Sequence, residues 1–408
     1  MSDTPITIET VHGPEVLARI KSDARAQLRF FRRSLCGDGR FASLTRQGVQ
    51  IMGPQALITT TRLVHSYALG HLAGVADCLP MVDAGMQAIW HSHRDTQHGG
   101  YVWSFDSDGP VETDKLAYGH MFVLLAAASA EAVGHPDARR LREDVSEVIT
   151  EHFWDAEAGL MQDEFRRDWS VFSGYRGMNA NMHGVEAHLS AYEITGDGLY
   201  LERAGRILAF FVDRMAASNK WRLPEHYHQD WSVDRAYEGD PMFRPRGTTP
   251  GHSFELGRLL IQHWDLAGRG DDSAPVKARA LIETALADAW LPEGGLAYTL
   301  NSDGTPRVRD RYWWPVTEAI GALASLLKLG GTAQDKAWYE RLWQTGFALF
   351  VDDEHGGWIP EIGADGLPAE RQFAGKPDIY HALQANLYPL HGAVSGHYRG
   401  VVGLLAQG

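Results

Sequence analysis

Apolar residues recur with a helical period in twelve stretches of the chain, and the stretches alternate between two kinds. Six are apolar on nearly every side and rich in Ala and Leu: Ala56–Val75, Leu116–Val133, Asn181–Ile194, Ser253–Leu266, Pro315–Leu329 and Ile379–Val394. Between them lie six with a charged face opposite an apolar stripe: Val16–Arg33, Val82–His93, Ala138–His152, Tyr200–Met215, Ala274–Ala289 and Ala333–Leu349. The alternation predicts about twelve helices, one kind buried all round and the other covering it.

The loops keep the same beat. The segments GDGRF, HGGYVWSF, AGLMQDEF, WRLPEHY, GGLAYTL and GGWIPEI each follow an amphipathic stretch and begin a short extended run. Taking Gly39, Gly99, Gly159, Trp221, Gly294 and Gly356 as markers, the spacings are 60, 60, 62, 73 and 62 residues. A unit of helix, loop and helix needs neighbours to bury its apolar face. Six such units closing into a ring give an all-α, single (α/α)6-barrel domain over residues 1–408, with short hairpins and loops over one mouth; an open solenoid or a two-domain helical protein is the alternative. The Pro/Gly-rich loop Glu238–Gly251 accounts for the long spacing and reads as an insertion over that mouth, where function is expected.

Composition narrows the function. The formal charge is −14, from 52 acidic against 38 basic residues, which argues against a general binder of nucleic acid or of an anionic membrane. Cys36 and Cys78 are too few for a Cys-rich zinc module or a disulfide scaffold, and both read as inert in a reducing, cytoplasmic setting. The N-terminal residues show no basic and apolar leader pattern, and the longest apolar stretch, near Met121–Ala128, is far short of a membrane span. Thirteen tryptophans are many, enough to fill a large core or to line a ligand pocket.

Polar residues interrupt the apolar helices at matching points. Arg62 and His65, His120, then Asn179, Asn181, His183 and Glu186, then His252 and Glu255, Trp314 and Glu318, and His381 and Gln384 fall near the starts of successive apolar stretches. Arg62, His120, His183, His252, Glu318 and His381 are spaced by 58, 63, 69, 66 and 63 residues, the beat of the loops. His183 with Glu186, His252 with Glu255, and His381 with Gln384 are three apart and share a helix face. Any one of these histidines alone reads as a helix-interface partner. The whole set reads as the lining of one cavity, because buried polar groups need partners. His252 follows Thr-Pro-Gly and His381 follows Lys-Pro-Asp-Ile-Tyr, both at expected helix starts. A helix N-terminus favours the neutral imidazole that a general base requires, and Glu255 or another carboxylate is expected to hold the second ring nitrogen.

Other chemistries fit less well. The chain has no GxxxxGK[ST] loop, no dinucleotide glycine fingerprint after a strand and no HExxH. The HSH cluster of His91 and His93, and the EHYH cluster of Glu225, His226 and His228, each lack a convincing third metal ligand, so no metal is expected. Glu186, Glu255 and Glu318 supply carboxylates for a glycosidase, yet histidine dominates the ring.

The segments TTTRLVHSYALG, HGGYVWSFD, NANMHGVEAHLSAYEITGD, EHYHQDW, RPRGTTPGHSFELGRLL, WWPVTEAI and KPDIYHALQANLYP together resemble the N-acylglucosamine 2-epimerase superfamily over nearly the whole chain. Within it they are most similar to the branch of D-mannose and sulfoquinovose isomerases, and the YHALQ form of the last motif sides with that branch. The EHYH segment departs from the more usual EHF type, on one side of the pocket. The resemblance implies an (α/α)6 barrel, a monosaccharide substrate, no cofactor and no required metal. It implies that His252 and His381 are the catalytic pair, that Arg62 and His183 meet sugar oxygens near C1 and C2, that Glu255 and Glu318 are acidic members of the site, and that Trp314 is a sugar-facing wall. Asn179, Glu186, His120 and Gln384 complete the candidate set.

The chemistry so implied is aldose–ketose isomerisation of D-mannose and D-fructose through a cis-enediol, with D-lyxose and D-xylulose as a second pair. His381 is assigned the proton shuttle between C2 and C1, and His252, supported by Glu255, the ring opening; the two roles are open to exchange. A sulfoquinovose isomerase is the alternative, with Arg244, Arg246 and Lys376 as candidate anion holders. A 2-epimerase of the same superfamily and a non-catalytic sugar-binding protein are the others. Monomer and homodimer are both compatible with the chain.

Overall fold

The computed structural model describes residues 8–406. The leader-free N-terminus expected above falls partly on residues 1–7, outside the described residues. The chain is all-α with short strands. Its helices are α1 (Ile8–Val11), α2 (Pro14–Phe31), α3 (Leu57–Leu72), α4 (Leu79–Ala88), α5 (Ala117–Ala132), α6 (Ala138–Val148) and α7 (Met178–Thr195). They continue with α8 (Gly198–Leu208), α9 (Pro250–Leu266), α10 (Ser273–Ala289), α11 (Trp313–Lys328), α12 (Ala333–Thr345), α13 (Tyr380–Leu387) and α14 (His397–Gly400). Every expected stretch holds a helix. The last is shorter than its apolar run: α13 stops at Leu387, followed by a single 3₁₀ turn over Tyr388–Leu390, because Pro389 lacks the N–H that would continue the ladder. No helix among the described residues is long and apolar enough to cross a membrane.

Two compact units divide the chain. One takes in Arg32–Phe210 with Glu225–Tyr237; the other takes in the chain up to Phe31, Phe211–Pro224 and the chain from Glu238 onward. In the first, α3 packs on α5 and α5 on α7, a row of helices buried on most faces, and α4, α6 and α8 cover them. Helix α6 shows the one-sided pattern: Ala138, Leu141 and Val145 are buried at spacings of three and four, with charged residues between. In the second unit α9, α11 and α13 form the row, α10 and α12 cover α9 and α11, and α2 packs against α13.

Five of the buried helices are entered through an extended residue paired antiparallel with one about fifty positions later: Gln55 with Phe105, Lys115 with Phe165, Arg176 with Tyr227, Thr248 with Leu300 and Arg311 with Ile362. The returning loops also cap four of these helices. The Leu57 N–H donates to the Trp103 carbonyl at 2.7 Å, Ala117 to Asp163 at 2.8 Å, Met178 to Glu225 at 3.0 Å and Trp313 to Pro360 at 3.2 Å. Loop carbonyls thus satisfy the first helical N–H groups that side-chain caps serve elsewhere. All six loop markers have positive φ, and at Trp221 (φ 63°) a tryptophan takes the left-handed conformation that glycine takes in the other five, at about 1 kcal/mol.

A buried lysine braces two of these loops. Lys115 donates to the Gly99 carbonyl, lies 3.3 Å from Asp95 and sits 4.4 Å over the Trp169 ring. In the other unit Lys376 does the same, on the Gly356 carbonyl, Asp352 (2.7 Å) and the Phe30 ring (4.4 Å).

Candidate active site

The candidate residues sit in the first two turns of the buried helices, Glu186 one turn further, and their register is tighter than sequence spacing shows. Counting from each helix start, Arg62, His183, Glu255 and Glu318 are all the sixth residue of α3, α7, α9 and α11. Tyr118, Asn179, Trp314 and His381 are the second residue of α5, α7, α11 and α13. Within each row, α3, α5 and α7, and α9 and α11, begin two residues after their paired entry residue, so equal counts mark equivalent places in these helices.

In the unit that runs from Arg32, the structure brings Arg62, His183 and Glu186 together. Arg62 Nη2 donates to the Tyr118 hydroxyl at 2.9 Å, and the guanidinium lies 4.7 Å from the Phe122 ring centre. The His183 ring stands edge-on to Tyr118 (5.1 Å) and against Phe122 (4.7 Å), and its Nδ1 is 3.5 Å from Glu186 Oε2. Asn179 is half-buried at the start of the same helix, and its Oδ1 has no protein partner among the described residues. Tyr118 is a member the sequence reading missed; its signal was the second-residue register it shares with Asn179.

His120 is a correction. It is the fourth residue of α5, two short of the shared register, where Phe122 stands. Its Nδ1 donates to the Leu116 carbonyl at 2.8 Å and its Nε2 accepts the Tyr101 N–H at 3.1 Å. Both ring nitrogens are spent on backbone, so it has none for a sugar. His93 is equally structural: it meets the Val102 carbonyl and the Thr60 hydroxyl, each at 3.1 Å, while His91 is exposed. In the EHYH segment, His226 Nδ1 pairs with the Tyr175 hydroxyl at 2.9 Å and its ring stacks on Tyr237, whereas His228 is largely exposed and 3.7 Å from Asp234. Among the described residues, neither cluster brings three ligand atoms close together.

Burial drives the pKa of His93 and of His120 down to about 3, against smaller upward effects of their carbonyl partners. A depressed histidine binds fewer protons folded than unfolded, so its stability contribution is complete above about pH 6.5 and is lost as pH falls towards 3. Each is expected to remove about 2 kcal/mol by pH 5. The melting temperature followed by circular dichroism should therefore fall steadily from pH 7 to pH 5; a flat profile would contradict the neutral burial of these rings.

In the other unit, His381 Nδ1 lies 2.8 Å from Glu318 Oε1, and both groups are buried. Arg258 Nη2 donates to the second oxygen, Oε2, at 3.4 Å, and its guanidinium faces the Tyr388 ring at 5.5 Å. The carboxylate behind a histidine is thus Glu318 on His381, where sequence alone points to Glu255 on His252. An ionised Glu318 accepts the Nδ1 proton, which leaves Nε2 unprotonated and able to act as a base. The Trp314 indole lies near both histidine rings, 5.2 Å from His252 and 5.7 Å from His381, each tilted by about 35°. Gly251 makes this possible: a methyl there would meet Trp314 Cζ3 at 2.2 Å. Gln384 is buried one turn beyond His381. Arg258 was missed in the sequence, although it is the ninth residue of α9, the position that Glu186 holds in α7.

Glu255, Glu318 and His381 each offer a ligand atom within 4.8 Å of the others, a donor set of the kind that holds a divalent cation. Arg258 already sets a positive charge against one of the carboxylates, which opposes a second cation. Lys376, a candidate anion holder from sequence, is a further correction: it is buried and committed to Asp352 and the Gly356 carbonyl. Arg246 is paired with Glu238 on the exposed loop.

The family model N-acylglucosamine 2-epimerase (GlcNAc 2-epimerase) matches residues 39–385. A D-mannose isomerase of Thermobifida fusca is 41% identical over 361 residues, which cover 86% of this chain and 87% of the relative. A D-mannose isomerase of Pseudomonas cannabina pv. alisalensis is 38% identical over 360 residues, with 86% and 87% coverage. Among solved structures, a crystal structure of D-mannose isomerase superposes with a TM-score of 0.86 at 29% identity, covering 91% of this chain and 97% of that one. The fold class expected from the helix count, an all-α (α/α)6 barrel, is the class shared with such neighbours.

Proposed function

Because the chain belongs to the N-acylglucosamine 2-epimerase family, we propose that it is an aldose–ketose isomerase interconverting D-mannose and D-fructose. The observation that carries this reading is the buried 2.8 Å contact of His381 with Glu318, which supports a histidine base 5.7 Å from the Trp314 ring. The names of the relatives support the substrate, and the unbroken family match across residues 39–385 supports the chain's acting as one catalytic domain.

In this reading His252, with Glu255, opens the pyranose by proton exchange on oxygen. His381 Nε2 then takes the C2 proton of the open aldose. The C2–H electron pair forms the C1–C2 double bond, and the carbonyl oxygen O1 gains a proton from His252, giving a cis-enediol. O2 then returns its proton to His252 as the C1–C2 electron pair takes one from His381 at C1, and the ketose results. Arg62 is assigned to the negative charge that develops on oxygen, Asn179, His183, Glu186 and Gln384 to sugar hydroxyls, and Trp314 to the sugar face. A preorganised base of this kind contributes about 10² to 10⁴ in rate.

The engagement of buried Lys376 with Asp352 leaves the sulfosugar reading without one of its three cations. The test is direct. After exhaustive chelation the protein should convert mannose to fructose at an unchanged rate, and mannose should outcompete sulfoquinovose. Turnover restored only by a divalent metal, or a large preference for the sulfonated sugar, would overturn the assignment.

A further inference from the structure

The base His381 rides on a helix too short to hold itself in place. Helix α13 has eight residues, and isolated helices below about 12–15 residues are marginal in water. Its position must come from tertiary contacts, and one polar contact set stands out. Asn386, five residues after His381, is wholly buried, and its Nδ2 donates to the Ile20 carbonyl (2.9 Å) and to Asp23 Oδ2 (3.0 Å), both on α2. Its Oδ1 accepts from Gln27 Nε2 at 2.8 Å, and the same Gln27 nitrogen donates to Asp23 Oδ2 at 2.9 Å. Trp358 Nε1 completes the set on Asp23 Oδ2 at 2.9 Å. One buried carboxylate oxygen therefore gathers donors from α2, α13 and the Trp358 loop.

Five residues on an α-helix turn the chain by about 500° and advance it about 7.5 Å, so Asn386 lies roughly 140° around α13 from His381. The anchor grips the face away from the imidazole and governs both the rotation and the height of the helix. The mechanism above gives none of these residues a role.

We propose that Asp23 is a positioning residue for His381: through Asn386 it sets the rotation of α13 and with it the aim of the His381 ring. The inference rests on the assignment of His381 as the base. Displacement of a reacting group by about 1 Å can cost about 10²-fold in rate, so a modest rotation of α13 should be felt in turnover.

The experiment compares Asp23→Ala with Asp335→Ala in the full chain. Asp23→Ala removes the oxygen on which the Gln27, Trp358 and Asn386 donors converge. Asp335→Ala removes a buried carboxylate held by Arg279 and Thr332 at the start of α12, and serves as a purely structural control. Asp23→Ala is expected to lower kcat by about 10- to 100-fold with KM within about 3-fold. Amide exchange across residues 380–387 should accelerate at least tenfold, relative to the other helices. Asp335→Ala should lower the melting temperature while keeping kcat and slow exchange in α13. If Asp23→Ala does not fold, Gln27→Met removes one donor to Asp23 and is expected to give the same pattern in weaker form. A kcat no lower than that of the control, or unchanged exchange in α13, would overturn the proposal. The exchange measurement needs no substrate, so a wild type inactive on mannose would sink the functional reading while α13 exchange still tests the anchor.

Discussion

His381→Asn is expected to leave a folded protein that binds mannose and scarcely turns it over. Asparagine is smaller, polar and well tolerated near a helix start, and His381 is the second residue of α13. Removing a general base costs about 10² to 10⁴ in rate. Mannose binding should fall much less, because the lost interaction belongs to the transition state. Deuterated water separates the roles of the two histidines. Wild type should exchange the C2 proton of mannose and place deuterium at C1 of the ketose, to the extent that the shuttled proton mixes with solvent. The variant should show neither, by NMR, while still binding the sugar in a calorimeter. Near-normal exchange in the folded variant would move the shuttle to His252 and leave His381 with ring opening or binding.

Much of the fold was legible because two independent periods agree. The apolar pattern marks every long helix, and the loop beat reappears as antiparallel partners about fifty residues apart, from Gln55 with Phe105 to Arg311 with Ile362. The site was legible only in part, since spacing between chosen polar residues locates a helix turn but not a face. His120 keeps the beat within a few residues, yet it stands two residues off the register of Arg62 and His183 and turns back to the Tyr101 N–H and Leu116 carbonyl. Counting from the helix start separates these cases, and that start depends on which strand pairs with which. Partners distant in sequence were out of reach for the same reason: nothing local tells Glu318 from Glu255 as the support for a histidine, or marks Lys376 as a brace under Gly356. The lysine is a charge beside a catalytic motif in sequence, and a buried internal partner in space.

Glu318→Gln should be nearly as damaging as loss of the histidine itself, although it changes one atom and leaves the imidazole in place. Glu318 faces two donors, Arg258 Nη2 on Oε2 and the His381 Nδ1–H on Oε1. A carboxylate accepts from both; a carboxamide has one oxygen and one NH₂. Arg258 has no acceptor and is always charged, so it takes the oxygen, and the NH₂ is left facing His381 Nδ1. Nδ1 then accepts, the proton moves to Nε2, and the nitrogen that should take the C2 proton already carries one. The cation formed during proton transfer also loses its counter-charge. A wrong tautomer of this kind costs about 10⁴ in a serine protease triad, and about 10² to 10⁴ in kcat is expected here. Glu318→Asp keeps the charge but shortens the reach, and should fall between wild type and Glu318→Gln. Mannose binding and the circular dichroism spectrum should survive in both, with a lower melting temperature in Glu318→Gln because Arg258 loses its buried counter-ion. Exchange of the C2 proton should drop in parallel with kcat. A Glu318→Gln protein within threefold of wild type in both measurements would show that the carboxylate is only a structural neighbour of His381, and the tautomer argument for Nε2 as the base would fail with it.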